Sequence, residues 1–145
     1  MATKLDVEVK HSEFIRAPRE KVYDAFATAE GLDGWFTRGA RVDARPGGAM
    51  LFRWVDWGPE RTINQEAPGR VIEAKRPERF VFQWGAAGEE TTVEILLEER
   101  EGGTLMKLRE YGFRQIGSLV DNASGWGEAL TLVKFWIEHG IAINR

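Results

Sequence analysis

The sequence predicts an α+β domain in which a curved antiparallel sheet wraps around a long C-terminal helix. Three observations lead there. Period-two apolar alternation recurs through roughly the first three quarters of the 145 residues, short turn sequences separate the alternating runs, and after Ser118 the apolar period changes to three and four. Short connections favour antiparallel neighbours. A sheet with many inward aromatic residues must bury that face, and the long amphipathic helix is the element able to cover it.

Leu5, Val7 and Val9 alternate with Asp6, Glu8 and Lys10, which predicts a first strand with its odd residues inward. Pro18 in a first turn, Glu20 after it, and Val22, Ala25 and Phe26 at helical spacing predict a helix over 18–28 that ends near Gly31. A second short helical turn carries Leu32, Trp35 and Phe36, which close one end of the core. A meander then runs through 40–44, 50–55, 61–65, 70–74, 80–84, 91–98 and 104–111. Pro46-Gly47-Gly48, Gly58-Pro59, Pro68-Gly69, Pro77-Glu78, Ala87-Gly88 and Gly102-Gly103 mark its turns.

Strand parity gathers Met50, Phe52 and Trp54, then Phe80, Phe82 and Trp84, then Val93, Ile95 and Leu97, then Met106 and Leu108 on the concave face. It puts Trp57 opposite Trp54. The last helix, over 118–139, shows the stripe Leu119, Ala123, Trp126, Leu130, Val133 and Ile137. Ser118 with Asp121 resembles a capping box, Lys134 and His139 suit the negative end of the helix dipole, and Gly140 suits a left-handed cap. No repeat or linker divides residues 1–145, so a single domain is expected.

Composition removes several classes of function. Without cysteine there is no disulfide, thiolate nucleophile or sulfur-bound metal. The charged N-terminal stretch lacks the apolar run of a signal peptide, so the cytoplasm is the expected compartment. No run approaches the ~18 apolar residues of a membrane span, and no membrane partner is expected. The net charge of −3 comes from 20 basic and 23 acidic residues scattered along the chain, which argues against nucleic acid. Arg38, Arg41 and Arg45, with Asp43 among them, read as a solvated strand edge.

Several stretches taken together resemble one family. Ile15-Arg16-Ala17-Pro18, Glu20, Val22, Ala25, Phe26 and Trp35-Phe36 are similar to the opening of the heat-shock-protein-90 ATPase activator-like family, within the START and birch-pollen-allergen superfamily. The stretch GRVIEAKRPERFVFQW from Gly69 to Trp84, the hairpin from Thr91 to Leu108 with Gly103-Thr104, and Gly125-Trp126 followed by Leu130 continue the likeness over nearly the whole chain. The resemblance implies a helix-grip fold and a cavity between sheet and long helix. It does not imply an activity.

Side-chain chemistry offers little for catalysis. The two histidines, His11 and His139, stand near opposite ends of the sequence and form no zinc-binding spacing, so neither a metal nor a cofactor is expected. His139 belongs to the helix end, and His11, in the register of Val9, reads as a structural histidine facing inward. Gly47-Gly48 and the stretch from Gly85 to Gly88 are turns with no phosphate-loop context. Glu110 shares the inward parity of Met106 and Leu108, and it is expected in water at the cavity mouth. Arg53 or Arg109 reaches it only if the register bends. Members of the resembled family often carry a histidine near this place, and Glu110 departs from that.

Six tryptophans are the strongest compositional signal. Trp126 stands out because Gly125 and Gly127 flank it within a helix, where a close backbone approach or a local bend would offset their cost. Met50, Phe52, Trp54, Phe82, Trp84, Met106, Glu110, Trp126 and Leu130 are the expected cavity-lining residues, with Trp126→Phe changing affinity more than stability. Leu132, Phe135 and Trp136 widen the helix's apolar arc, through burial or a homodimer contact.

These residues point to a noncatalytic module that binds a small apolar or amphipathic molecule. The resemblance adds a chaperone-associated ATPase activator, although such activators generally carry a further N-terminal domain that these residues do not predict. It also adds a cavity enzyme of cyclase or hydrolase type with Glu110 as general base, assisted by His11.

Overall fold

Strand β1 (Val9–Ile15) leads into helices α1 (Arg19–Ala27) and α2 (Ala29–Trp35). Strands β2 (Arg41–Val42), β3 (Ala49–Trp57), β4 (Ile63–Lys75), β5 (Arg79–Trp84), β6 (Thr91–Arg100) and β7 (Gly103–Tyr111) follow, and helix α3 (Ile116–His139) completes the order. This computed structural model describes residues 3–142, so residues 1–2 and 143–145 of the expected domain lie outside it. Among the described residues the strands make one antiparallel sheet in the order β1-β7-β6-β5-β4-β3-β2. The architecture is α+β with the helix-grip arrangement. Trp126, Leu130, Val133 and Ile137 of α3 are buried together with Phe52, Phe82, Ile95 and Met106 of the sheet. No helix among the described residues is long and apolar enough to cross a membrane.

Several boundaries differ from expectation for physical reasons. β1 begins at Val9 rather than Leu5, because Val9 already faces Glu110 near the end of β7 and Gly112 breaks the partner strand with φ +95°. Val7 is exposed, while the Leu5 amide donates to the Phe113 carbonyl at 2.6 Å. The first helix stops at Thr28, where extended backbone (φ −131°) separates α1 from α2. The Thr28 hydroxyl donates to the Asp24 carbonyl at 2.7 Å and accepts from the Gly31 amide at 2.9 Å, serving both helix ends. Gly31 is required there, since a Cβ would stand 2.0 Å from the Asp24 carbonyl oxygen.

The two expected strands around Pro68-Gly69 are one continuous strand, β4. Its first half pairs with β3 (Leu51 with Pro68), and from Gly69 onward it also pairs with β5. The Pro68 carbonyl accepts from the Gly85 amide just beyond the end of β5, so the missing proline N–H falls where no strand needs a donor. In α3 the expected capping box is absent: the helix starts two residues earlier, with Gln115 as N-cap and no side-chain cap bond. Gly140 does take the left-handed C-cap, at φ 69°.

A clasp fixes the far end of α3. The Glu138 carboxylate accepts from the Arg16 amide at 2.8 Å and from Lys134 Nζ at 2.9 Å, and Lys134 also donates to the Phe14 carbonyl. Burial pushes the Glu138 carboxyl up, but the Arg16 peptide N–H and the Lys134 ammonium outweigh it and hold the group below the ordinary carboxylate value. A depressed folded-state value adds stability that is present above the unfolded value and lost as pH falls through the folded one. Glu138→Gln should therefore cost about 1–2 kcal/mol at neutral pH. Melting curves of the two proteins should converge on acidification.

Candidate functional site

At one end of the sheet β3 and β5 finish in tryptophan, β4 and β6 begin, and the first half of α3 passes overhead. The interior there opens into a cleft of about 840 Å³. Trp54, Trp57 and Trp84 line it from the sheet, Phe36 from the segment after α2, and Asn122, Gly125 and Trp126 from α3. Phe36 is the hub of the wall: its ring lies 5.3 Å from Trp54 and 5.5 Å from Trp57, both edge-on, and 6.1 Å from Trp126. Trp84 stacks on Trp126 at 5.5 Å with planes 26° apart. Such offset contacts favour a stiff wall.

Glu110 is the floor of this site. It is fully buried, and four side chains from three elements, β5, β6 and α3, converge on its two oxygens. Oε2 accepts from Trp84 Nε1 at 2.8 Å and from the Thr91 hydroxyl at 2.5 Å, while Oε1 accepts from Trp126 Nε1 at 2.8 Å. Asn122 Nδ2 donates to both oxygens at 3.1 Å. The convergence follows from local geometry. Glu110 faces Val93 across β6 and β7, Thr91 is two residues from Val93 on the same face, and Trp84 is the direct partner of Thr91. Asn122 and Trp126 are four apart, so both project from one side of α3. Two indole N–H groups and an amide NH₂ can only donate, which suits an anionic carboxylate. Buried without such partners, the carboxylate would cost several kcal/mol.

Glu110 is thus sealed beneath the indoles instead of lying in water at the mouth. Neither arginine reaches it. Arg109 bonds to Glu94 at 2.7 Å and to Glu8 at 3.3 Å, as expected for the opposite strand parity, and Arg53 donates to the Arg38 carbonyl at 3.2 Å. His11 packs inward, with Nε2 3.2 Å from the Ala123 carbonyl oxygen. Among the described residues no hydrogen bond links it to Glu110, so the acid and base that an enzyme would need are separately engaged.

Of the nine expected lining residues, Trp54, Trp84 and Trp126 reach the cleft and Glu110 lies directly behind them. Met50, Phe52, Phe82, Met106 and Leu130 are buried in the packed core, where Phe52 and Phe82 meet at 5.4 Å. Four residues that sequence reasoning left out belong to the site: Phe36, Trp57, Thr91 and Asn122. Trp57 was assigned to the opposite face, but β3 changes register between Trp54 and Trp57, and Asp56 takes φ 50°, which returns the indole to the aromatic side. Thr91 shares the parity of Val93, and Asn122 precedes Trp126 by one helical turn, so spacing alone could have found both.

The glycines beside Trp126 admit no tight approach. A Cβ at Gly125 would meet nothing within 4 Å, and one at Gly127 only His11 at 3.9 Å. Trp136 covers α2, its ring lying 2.2 Å from where a Gly34 Cβ would be. Phe135 is 40% exposed whereas Leu132 is buried, so the widened arc is only partly covered.

Solved structures share this architecture. A protein from Staphylococcus saprophyticus is 23% identical with a TM-score of 0.78, covering 94% of this chain and 96% of its own. The Aha1 dimer from Colwellia psychrerythraea gives 20% identity and a TM-score of 0.80, with 92% and 98% covered. DynU16, a protein of the dynemicin biosynthetic locus, gives 17% and 0.82, with 97% of this chain and 51% of that one covered. No curated protein sequence matches the chain. The sequence pattern described as Activator of Hsp90 ATPase homolog 1-like protein matches residues 16–134, and the chain belongs to that family, within the START and birch-pollen-allergen superfamily.

Proposed function

We propose that the chain is a noncatalytic binding module that holds one small apolar or amphipathic molecule in the cleft. The observation that carries this reading is the aromatic wall of Phe36, Trp54, Trp57, Trp84 and Trp126, with Thr91 and Asn122 among the polar groups that line the cleft beside it. Concave aromatic surface with few polar groups is the common form of a small-molecule site. The engagement of every Glu110 oxygen supports binding over chemistry, because a general base needs a free lone pair within reach of substrate.

Trp57 is the residue with which to test it. Half-buried at the rim and touching Phe36, it contributes to the wall without belonging to the Glu110 network. Trp57→Leu should weaken binding of a neutral aromatic probe such as 4-neopentylphenol about three- to tenfold, the worth of an aromatic contact. Its melting temperature should move by only a few degrees. Affinity unchanged by this substitution would remove the wall from the binding surface.

Family membership favours a second reading, a contact with the heat-shock-protein-90 chaperone, and the dimeric neighbour from Colwellia psychrerythraea adds self-association as a property to test. ATPase turnover of the chaperone at saturating amounts of this protein decides the first. Sedimentation decides the second.

A further inference from the structure

We propose that the occupant of the cleft is an organic cation, an ammonium or comparable group carried on an apolar or aromatic body. This deepens the binding reading above and rests on it.

The first observation is the wall. Six aromatic residues, four of them tryptophans, line one cleft, and the face of an aromatic ring attracts a cation, tryptophan most strongly. The second is what lies behind it. Trp84 and Trp126 each donate their N–H at 2.8 Å to the buried Glu110. Hydrogen bonds in a low-dielectric interior polarise their partners, so donation to a carboxylate makes both indole rings more electron-rich. Among the described residues every group that hydrogen-bonds to Glu110 is neutral, so no cation of these residues pairs with the carboxylate close beneath the cleft.

The third observation is the rim. Glu89, Asp121 and Glu128 line the cleft against a single cation, Arg114, and none of the three acids has an ion pair within 4.0 Å among the described residues. Arg114 is itself turned to the Glu90 carbonyl at 3.3 Å. Exposed acids contribute little individually, but they set the sign of the field that a ligand meets on entry. Wall, floor and rim therefore favour the same charge, and an anion would meet repulsion at all three.

Three matched probes separate the possibilities: 4-hydroxybenzyltrimethylammonium, its uncharged carbon isostere 4-neopentylphenol, and 4-hydroxybenzenesulfonate, each titrated by calorimetry and tryptophan fluorescence. The cation should bind about tenfold tighter than the isostere, the sulfonate should bind more weakly than either, and added salt should weaken the cation alone. An Asp121→Asn, Glu128→Gln double variant should weaken the cation severalfold and the isostere by clearly less, so that the preference for the cation narrows. If the isostere binds as tightly as the cation, or the sulfonate binds best, the charge preference is wrong while the cleft still binds small molecules. If none of the three binds at millimolar concentration, the binding reading falls with it.

Discussion

Glu110→Ala is expected to lower stability by about 3–5 kcal/mol, because it strands two indole N–H groups, the Asn122 amide and the Thr91 hydroxyl around a buried void. For a chain of this size that is a fall of roughly 10 °C or more in melting temperature. Glu110→Gln keeps the volume but in either orientation turns its NH₂ toward an indole N–H, which can only donate, so it should fall between the alanine variant and the parent. A carboxylate in water at a cavity mouth would predict a change within about 0.5 kcal/mol for either substitution. Thermal melts of the three proteins distinguish these cases. The same network reverses the ranking expected for Trp126→Phe. Trp126 is 3% exposed and its N–H is committed to Glu110, so the substitution should reduce stability by about 2 kcal/mol before any ligand is considered.

Truncation at Gly125 should abolish cooperative unfolding altogether. The lost segment carries Trp126, Ala129, Leu130, Val133 and Ile137, all buried against the sheet, and it carries Lys134 and Glu138, which tie α3 to the end of β1. Burial of one large apolar side chain contributes about 1.5–3 kcal/mol. The four large ones, Trp126, Leu130, Val133 and Ile137, together forfeit about 6–12 kcal/mol, comparable to the whole ~5–15 kcal/mol by which domains are stable. Calorimetry that still shows a sharp transition would mean that the sheet closes without the helix.

Sequence periodicity was enough to find the sheet, the sidedness of its central strands and the long helix, since each is written in repeated spacing. Met50, Phe52 and Trp54 do alternate inward, as do Phe80 and Phe82, and Gly140 does cap α3. Features that depend on one residue in context were not visible. Pro68 reads as a turn until the sheet shows that its missing N–H points past the end of β5. Trp57 reads as outward until the register shift at Asp56 turns it back. Glu110 reads as hydrated because parity tells which face a side chain takes and nothing of what converges there. Its donors come from β5, the start of β6 and two turns of α3, distant in sequence and adjacent only after folding. Those positions now mark the site.

Entry of a small molecule into the aromatic cleft over Glu110 is observed directly by the indole N–H resonances. In a ¹⁵N-labelled sample titrated with 4-hydroxybenzyltrimethylammonium, the signals of Trp54, Trp57, Trp84 and Trp126 should shift together and saturate. Trp35, whose N–H donates to the Ala25 carbonyl at 3.0 Å in the helical end of the core, should stay fixed as an internal control. Four tryptophan signals that do not move, or movement as large at Trp35 as at Trp84, would contradict it.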